Sequence, residues 1–420
     1  MENLTHQTNR NVTHSASGGG IYRSLIDRML APLNQGKLHV TFPDGSTKFY
    51  GGATAEPSAS IHIRKNYFFK KCILSGDIGL GESYMDGDWD TDSIVKVISW
   101  FIHNLENAPT VSGSRRKISV GNFLRFFNRL RHNFRHNSQS GSRRNITEHY
   151  DLSNDFFRVF LDDSMTYSSA FFSHPDDSLE AAQTEKYDRL CRKLNLQASD
   201  SVLEIGSGWG GFAAHAASKY GCKIHSITVS DEQLKYARER IKNLGLENHV
   251  TFELKDYRNL SGQYDKIVSI EMLEAIGHRY LKTFFAKCHQ VLKRDGLLGF
   301  QVITCADVRY DEYRKSVDWI QKHIFPGGLL PSIGVLNQSI NATGDMHLHH
   351  LEEMGLHYAE TLNRWNVKLN EHLDTVQKLG FDRRFQRKWK YYFEYCEAAF
   401  RMRNVSVVQA VYTRPNNLKA

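Results

Sequence analysis

Ser201-Val202-Leu203-Glu204-Ile205-Gly206-Ser207-Gly208-Trp209-Gly210-Gly211-Phe212 reads as a buried strand, a glycine-rich turn and the opening of a helix. Val202, Leu203 and Ile205 form the short apolar run expected of a strand covered on both faces. The glycines let the chain turn sharply and let a ligand approach the backbone, because no Cβ stands in the way. The unpaired N–H groups at the helix start then face whatever is held there. This is the form of a nucleotide-type site.

The alternation continues on both sides. Strands are predicted at Val202–Ile205, Lys223–Val229, Val250–Leu254, Lys266–Ile270 and Leu297–Ile303, and helices at 179–194, 211–220, 231–243 and 278–292. Strand and helix in turn predict a doubly wound, Rossmann-like α/β sheet. After residue 310 the pattern becomes helical. Asp311–His323 is amphipathic, Phe325 to Ser332 is a rigid turn, and helices continue to about Arg403. These read as helical lid insertions. Val405–Tyr412 is β-rich and can return to the sheet as a late antiparallel strand.

This domain is placed at 148–415. Residues 1–20 are polar and read as a disordered tail. Residues 21–110 read as a smaller N-terminal α+β domain. It has a helix from Tyr22 to Leu30, strands at Leu38–Phe42 and Ile61–Ile63, a turn-rich segment at Gly79–Trp89 and an apolar helix at Ile94–Leu105. Between the domains, 111–147 is a basic amphipathic linker. Nine Lys or Arg residues and no acid lie between 113 and 147, with Phe123, Phe127, Leu130 and Phe134 at helical spacing. Such a helix suits an anionic bilayer, where each cation contributes about 1 kcal/mol. The same pattern also fits a linker helix packed on the protein through its Phe stripe, or an RNA contact.

At 420 residues the chain is long enough for two or three domains. Its net charge of +8 is compatible with nucleic acid, an anionic membrane or neither. Six scattered cysteines without a C-x-x-C pair argue against zinc and a disulfide framework, and fit a reducing cytosol. No metal is expected, and His347, His349 and His350 read as solvated. No apolar run approaches membrane-spanning length. The expected location is cytoplasmic, peripherally associated with the inner face of the membrane.

NAD is the first competitor for the glycine turn. The spacing G-x-G-x-G-G, the acid at Glu204 and the lack of a clear acid after the second strand point away from it. An acid two residues before the first glycine is typical of S-adenosylmethionine enzymes, where a carboxylate meets the cationic amino-acid end of the cofactor. Thr228, Ser230 and Gln233 supply hydroxyls and an amide at the next strand end. Asp256 and Tyr257 follow the third strand, at the carboxyl edge where ligands collect.

Several further stretches carry a resemblance: His149-Tyr150-Asp151-Leu152-Ser153-Asn154, Met165 to Ala170, Ile227 to Gln233, Asp256-Tyr257-Arg258, Ile324-Phe325-Pro326-Gly327 and Ala398 to Arg403. With Glu204–Gly211 they span about 260 residues, from Glu148 to Tyr412. Over that length the chain resembles the cyclopropane-fatty-acid synthases and their mycolic-acid relatives, which are S-adenosylmethionine methyltransferases. Gly81-Glu82-Ser83-Tyr84-Met85 resembles the extra domain of phospholipid-acting members, which mycolic-acid members lack. The implied partner is a phospholipid bilayer surface rather than nucleic acid, and a homodimer stays open.

The resemblance implies methyl transfer to the double bond of an unsaturated acyl chain of a phospholipid, with closure of a cyclopropane ring. Methyl transfer leaves a carbocation, which needs a dry, apolar pocket. Aromatic faces stabilise such a cation by roughly 2 kcal/mol or more when desolvated, and Tyr167, Tyr358, Phe171 and Trp365 are candidates. Core packing is the competing role for Phe171 and Trp365. The cofactor holders implied are Tyr167, Ser168, Glu204, Gly206, Gly208, Gly210, Thr228, Ser230, Gln233, Asp256 and Tyr257.

In the family the closing base is a bicarbonate ion. By resemblance Ser169 (through its N–H), Glu274, Gln301, Ile303 (backbone) and Tyr358 would hold it here. The chain departs from the family at three of these places. Ser169 stands where Cys is common, Ala275 where His is frequent, and Gln301 where a His usually helps hold the ion. Glutamine can donate a hydrogen bond but carries no charge, and Glu271 adds negative charge nearby. Glu274 is then an alternative base. Proton loss from a different carbon would give a methylene, methyl-branched or furan-precursor product without ring closure.

Overall fold

The computed structural model describes residues 19–52, 56–104, 153–418 and 420. The tail before Gly19, the basic stretch 111–147 and His149 to Leu152 lie outside the described residues. Gly19 and Gly20, assigned to the tail from sequence, open the helix Gly19–Leu30 instead.

The larger domain is built on seven strands: β5 (Ser201–Ile205), β6 (Lys223–Thr228), β7 (Val250–Leu254), β8 (Tyr264–Ile270), β9 (Leu292–Cys305), β10 (His347–Glu353) and β11 (Val405–Thr413). Their order is β10-β11-β9-β8-β5-β6-β7. β5 pairs in parallel with both β6 and β8, so the chain reverses its winding at β5, where open α/β sheets bind ligands. β11 pairs antiparallel to β9, as its β-rich sequence allows. The register matters for function. It sets Glu204 opposite Ser226, Ile270 opposite Gln301, and Gln301 opposite Gln409. All six cysteines are free. No helix among the described residues is long and apolar enough to cross a membrane.

Three elements differ from the sequence reading. β10 was not foreseen: its histidines alternate with few apolar residues, since it is an exposed edge that, among the described residues, pairs only to β11. Asp311–His323 is not one helix but two, Asp307–Tyr313 and Trp319–His323. Asp318 divides them, because its side chain and that of Gln321 form a capping box that starts the second helix afresh. Of the segment Gly79–Trp89, read as turn-rich, Gly79 to Met85 belongs to the helix Tyr67–Met85, which breaks at Gly76, whereas Asp86 to Asp88 do form a turn.

The glycines of that helix serve contact. The N-terminal sheet, ordered β2-β1-β3-β4 from β1 (Lys37–Thr41), β2 (Thr47–Gly51), β3 (Ser58–Ile63) and β4 (Trp89–Asp90), carries the helix against the larger domain. A Cβ on Gly81 would stand 2.4 Å from the Trp319 ring and 2.8 Å from Tyr391. Beside it Glu82 accepts hydrogen bonds from Lys322 at 2.6 Å and His323 at 3.0 Å. The helix Arg383–Arg401 completes the joint. Arg387 donates to the Tyr84 and Trp89 carbonyls and to Asp90, and Glu394 receives the Ile94 N–H at 2.9 Å. The latter places a carboxylate on the N-terminus of the helix Ile94–His103, where the helix dipole favours it.

A methyl group at Gly81 has no space, so Gly81→Ala is expected to destabilise the protein by about 1–3 kcal/mol through overpacking. Urea unfolding checks this, and a midpoint equal to wild type would contradict the close packing described.

Candidate active site

The cleft opens at the carboxyl ends of β5, β6 and β7. Tyr167, Ser168, Glu204, Gly206, Gly208, Thr228, Gln233, Asp256 and Tyr257, all singled out from sequence, line it together with Lys255 and Glu271. Gly206 and Gly208 have φ of +96° and +50°, and a Cβ on Gly208 would stand in open space. That space suits close approach of a ligand to the backbone. Gly210 and Ser230 are not on the cleft wall. Gly210, at φ +84°, starts the helix Gly211–Tyr220, and the Ser230 hydroxyl caps the helix Asp231–Asn243 by accepting the Gln233 N–H. Thr228 Oγ1 donates to Gln233 Oε1 at 3.0 Å. The Asp256 carboxylate is paired with Arg258, whose Nε and Nη2 donate at 2.8 and 2.6 Å.

Glu204 is buried at the end of β5 and receives the Ser226 hydroxyl at 2.5 Å. Burial pushes its carboxyl up to about 8, against the pull of that hydrogen bond and of Lys186. Burial therefore favours the neutral form of Glu204 near pH 7, and a cation beside it favours ionisation. The residues present fit S-adenosylmethionine: an acid for its amino-acid end, glycines for close approach and Tyr257 for its base.

The acceptor-side residues converge on an unexpected centre. The Ser169 N–H donates to Glu271 Oε1 at 2.8 Å, and Gln301 Nε2 donates to the same oxygen at 2.7 Å. The Tyr358 hydroxyl donates to Glu271 Oε2 at 2.8 Å. The Ile303 N–H goes to Glu274 Oε1 at 2.5 Å. The four donors expected to hold a bicarbonate ion are thus engaged by two carboxylates of the chain itself. With that added negative charge, the residues present do not fit bicarbonate.

Glu271 and Glu274 both have carboxyls raised above the usual range, chiefly by burial, and each opposes ionisation of the other. Their hydrogen bonding separates them. Glu271 accepts three donors and feels the Lys186 charge, which favours its ionised form. Glu274 Oε2 is buried without a partner, which favours the neutral acid. These contacts favour ionisation at Glu271 over Glu274.

Three supporting residues escaped the sequence reading. Glu271 was visible only as an added charge, and its backbone at φ +48°, a region that favours glycine, has no sequence signal. Lys186 is fully buried within the polar-looking helix Leu179–Lys193 and donates to Ser168 Oγ at 2.6 Å. Burial pushes its ammonium down to about 7. Gln409, opposite Gln301 across the sheet, donates to Gln301 Oε1 at 3.0 Å and so turns the Gln301 amide nitrogen toward Glu271. Gln409 is itself held by Lys193 at 2.5 Å.

The aromatic candidates divide. Tyr167 borders the cleft, with Trp365 and Phe157 at 5.2 and 5.4 Å between ring centroids. Trp365 is fully buried and also packs on Tyr358. Phe171 is turned to other partners, stacking on His357 at 4.0 Å under the Arg189 guanidinium at 3.9 Å. His347, His349 and His350 lie exposed on β10.

The family model described as mycolic acid cyclopropane synthetase matches residues 137–410. A model described only as a domain of unknown function matches residues 25–110. The chain is 36% identical to the tuberculostearic acid methyltransferase of Mycobacterium tuberculosis, over 94% of this chain and 91% of that one. It is 35% identical to the cyclopropane-fatty-acyl-phospholipid synthase of Escherichia coli, over 85% and 88%. Among solved structures, the mycolic acid cyclopropane synthase CmaA1 complexed with SAH and CTAB superposes with a TM-score of 0.60 at 30% identity, covering 65% of this chain and 98% of that one.

The raised Glu204 carboxyl gives a signed expectation. Binding a cation draws off its proton, so S-adenosylmethionine affinity rises with pH below about 8, by at most about tenfold per unit. Calorimetry between about pH 6 and 7.5 is expected to show this rise with proton release. Glu204→Gln should bind more weakly and respond less steeply. Identical pH responses in the two proteins would contradict the assignment.

Proposed function

The chain belongs to the mycolic acid cyclopropane synthetase family and is an S-adenosylmethionine-dependent methyltransferase acting on an acyl chain; on that premise we propose that its substrate is an unsaturated acyl chain of an intact phospholipid and its product a cyclopropane. The observation that carries this reading is the cleft wall itself. Tyr167, backed by Trp365 and Phe157, sets an aromatic surface next to the donor site, with the Glu271 carboxylate on the same cleft. An apolar, aromatic wall suits an alkene and the cation it becomes. The N-terminal domain supports a phospholipid, because the Escherichia coli phospholipid synthase aligns over 85% of the chain while CmaA1 covers 65%.

S-adenosylmethionine, when bound, supplies an electrophilic methyl group on a sulfonium. The chain's residues do the rest. Glu204 and the glycine turn orient the donor. Tyr167 and its aromatic neighbours exclude water and face the cation that forms beside the methylated carbon. A buried carboxylate then removes a proton, and the released C–H electron pair closes the ring. The acyl chain is reached at a bilayer surface, which the net charge of +8 and the cations between 113 and 147 favour.

A second reading, C-methylation without ring closure, is favoured by one observation: at the acceptor end Gln301 and Ala275 replace the expected histidines, and Glu271 takes the hydrogen bonds. Proton loss from a chain carbon would give a methylene or another alkene, a precursor of methyl-branched or furan-containing acids. Mass spectrometry of phospholipids from a host expressing the chain separates the two. Acyl chains heavier by one CH₂ that resist mild hydrogenation are expected. Chains that take up hydrogen would overturn ring closure, and no heavier chains at all would overturn the reading as a whole.

A further inference from the structure

We propose that Glu271 is the catalytic base, a carboxylate built into the chain in the seat that a bicarbonate ion takes in the family, so that this enzyme works without bicarbonate. The inference rests on the alkene-methylation reading and deepens it.

The geometry is that of an anion seat already filled. One backbone N–H, one amide and one phenol converge on the two oxygens of a single carboxylate, at 2.8, 2.7 and 2.8 Å. The donors come from three separate parts of the chain: the loop at Ser169, strand β9, and the helix Gly355–Glu371. Each is oriented by something else. Thr361 Oγ1 receives the Ala170 N–H at 3.0 Å, beside Ser169. Gln409 fixes the Gln301 amide at 3.0 Å. Tyr358 packs on Phe400 at 4.6 Å. Such convergence of oriented donors marks an anion position, and here the anion is a side chain at the end of β8 that also lines the donor cleft.

The backbone supports the same conclusion. Glu271 sits at φ +48°, a conformation that side chains other than Gly, Asn and Asp seldom adopt. Its N–H is bonded to the Gln301 carbonyl at 2.8 Å, which holds the strained residue against the sheet. Strain at a residue whose carboxylate faces a cleft is the usual companion of function. The neighbouring Glu274, with one oxygen unpartnered, keeps the second proton of the pair and leaves Glu271 as the acceptor.

The step balances within the chain. The alkene electron pair forms a bond to the methyl carbon, whose bond to sulfur breaks with its pair left on sulfur, giving S-adenosylhomocysteine and a carbocation on the adjacent carbon. Glu271 takes a proton from the new methyl group, and the C–H pair becomes the third bond of the ring. The carboxylic acid returns its proton to water through the cleft once the products leave.

Two variants and the wild type test this. Glu271→Gln keeps the volume and fills the seat without a base. Glu271→Gly removes the carboxylate at a position where glycine relieves the backbone, leaving three donors for an added anion. S-adenosylmethionine binding by calorimetry verifies that both fold. Wild type is expected to hold its rate within about twofold when bicarbonate is removed, and Glu271→Gln to lose about 100-fold or more with no rescue by bicarbonate. Glu271→Gly should lose as much, regain at least about tenfold with added bicarbonate, and bind bicarbonate in a titration in which wild type does not. A wild type that slows without bicarbonate, or a Glu271→Gln enzyme within about tenfold of wild type, overturns the proposal. A wild type that methylates no lipid overturns the function reading instead, so the two failures are distinct.

Discussion

A carboxylate turned away from water costs several kcal/mol unless donors meet it. At Glu271 that cost organises the acceptor half of the protein. Its oxygens gather a loop, a strand and a helix through Ser169, Gln301 and Tyr358. The demand passes outward, because Gln301 must be turned by Gln409, and Gln409 is held by Lys193. Lys186 places its charge behind the same region, so strongly desolvated that its ammonium is pushed down to about 7. The two groups each favour the charged form of the other, against the burial that opposes both.

The sheet makes this arrangement rigid. Glu204 at the end of β5 and Glu271 at the end of β8 stand on adjacent parallel strands, so the donor carboxylate and the acceptor carboxylate share one edge. A methyl group passing from a cofactor to a lipid chain needs its two partners held close and dry. The helix Arg383–Arg401 ties the second domain to that frame. It presents Trp389, Tyr392 and Phe393 to the aromatic core near Tyr167, and Arg387 and Glu394 to the N-terminal domain. Glycine at position 81 is what lets the two domains close on Trp319.

The donor half was legible because its signal is local. A β-run, an acid and spaced glycines name a turn whatever the rest of the chain does, and Glu204, Gly206, Gly208, Thr228 and Asp256 all line one cleft. The parallel strands were legible for the same reason, since apolar runs bounded by turns mark them one at a time. The acceptor half was not, because its meaning lies in pairings between residues 30 to 108 positions apart. Gln301 could be seen as a missing charge, but its partner Gln409 follows only from the β9–β11 register. Glu271 could be seen as an extra acid, but only the fold brings Ser169 and Tyr358 to it. Gly79 and Gly81 misled in the N-terminal domain, where close helix packing rather than a turn required them.

The central claim, that the chain supplies its own anion, is tested most directly by a crystal structure grown with S-adenosylhomocysteine and saturating bicarbonate. The Glu271 carboxylate is expected within hydrogen-bonding distance of the Ser169 N–H, Gln301 Nε2 and the Tyr358 hydroxyl, with no separate ion among them. Density for a planar, trigonal anion of one carbon and three oxygens on those donors, with Glu271 swung aside, would contradict it.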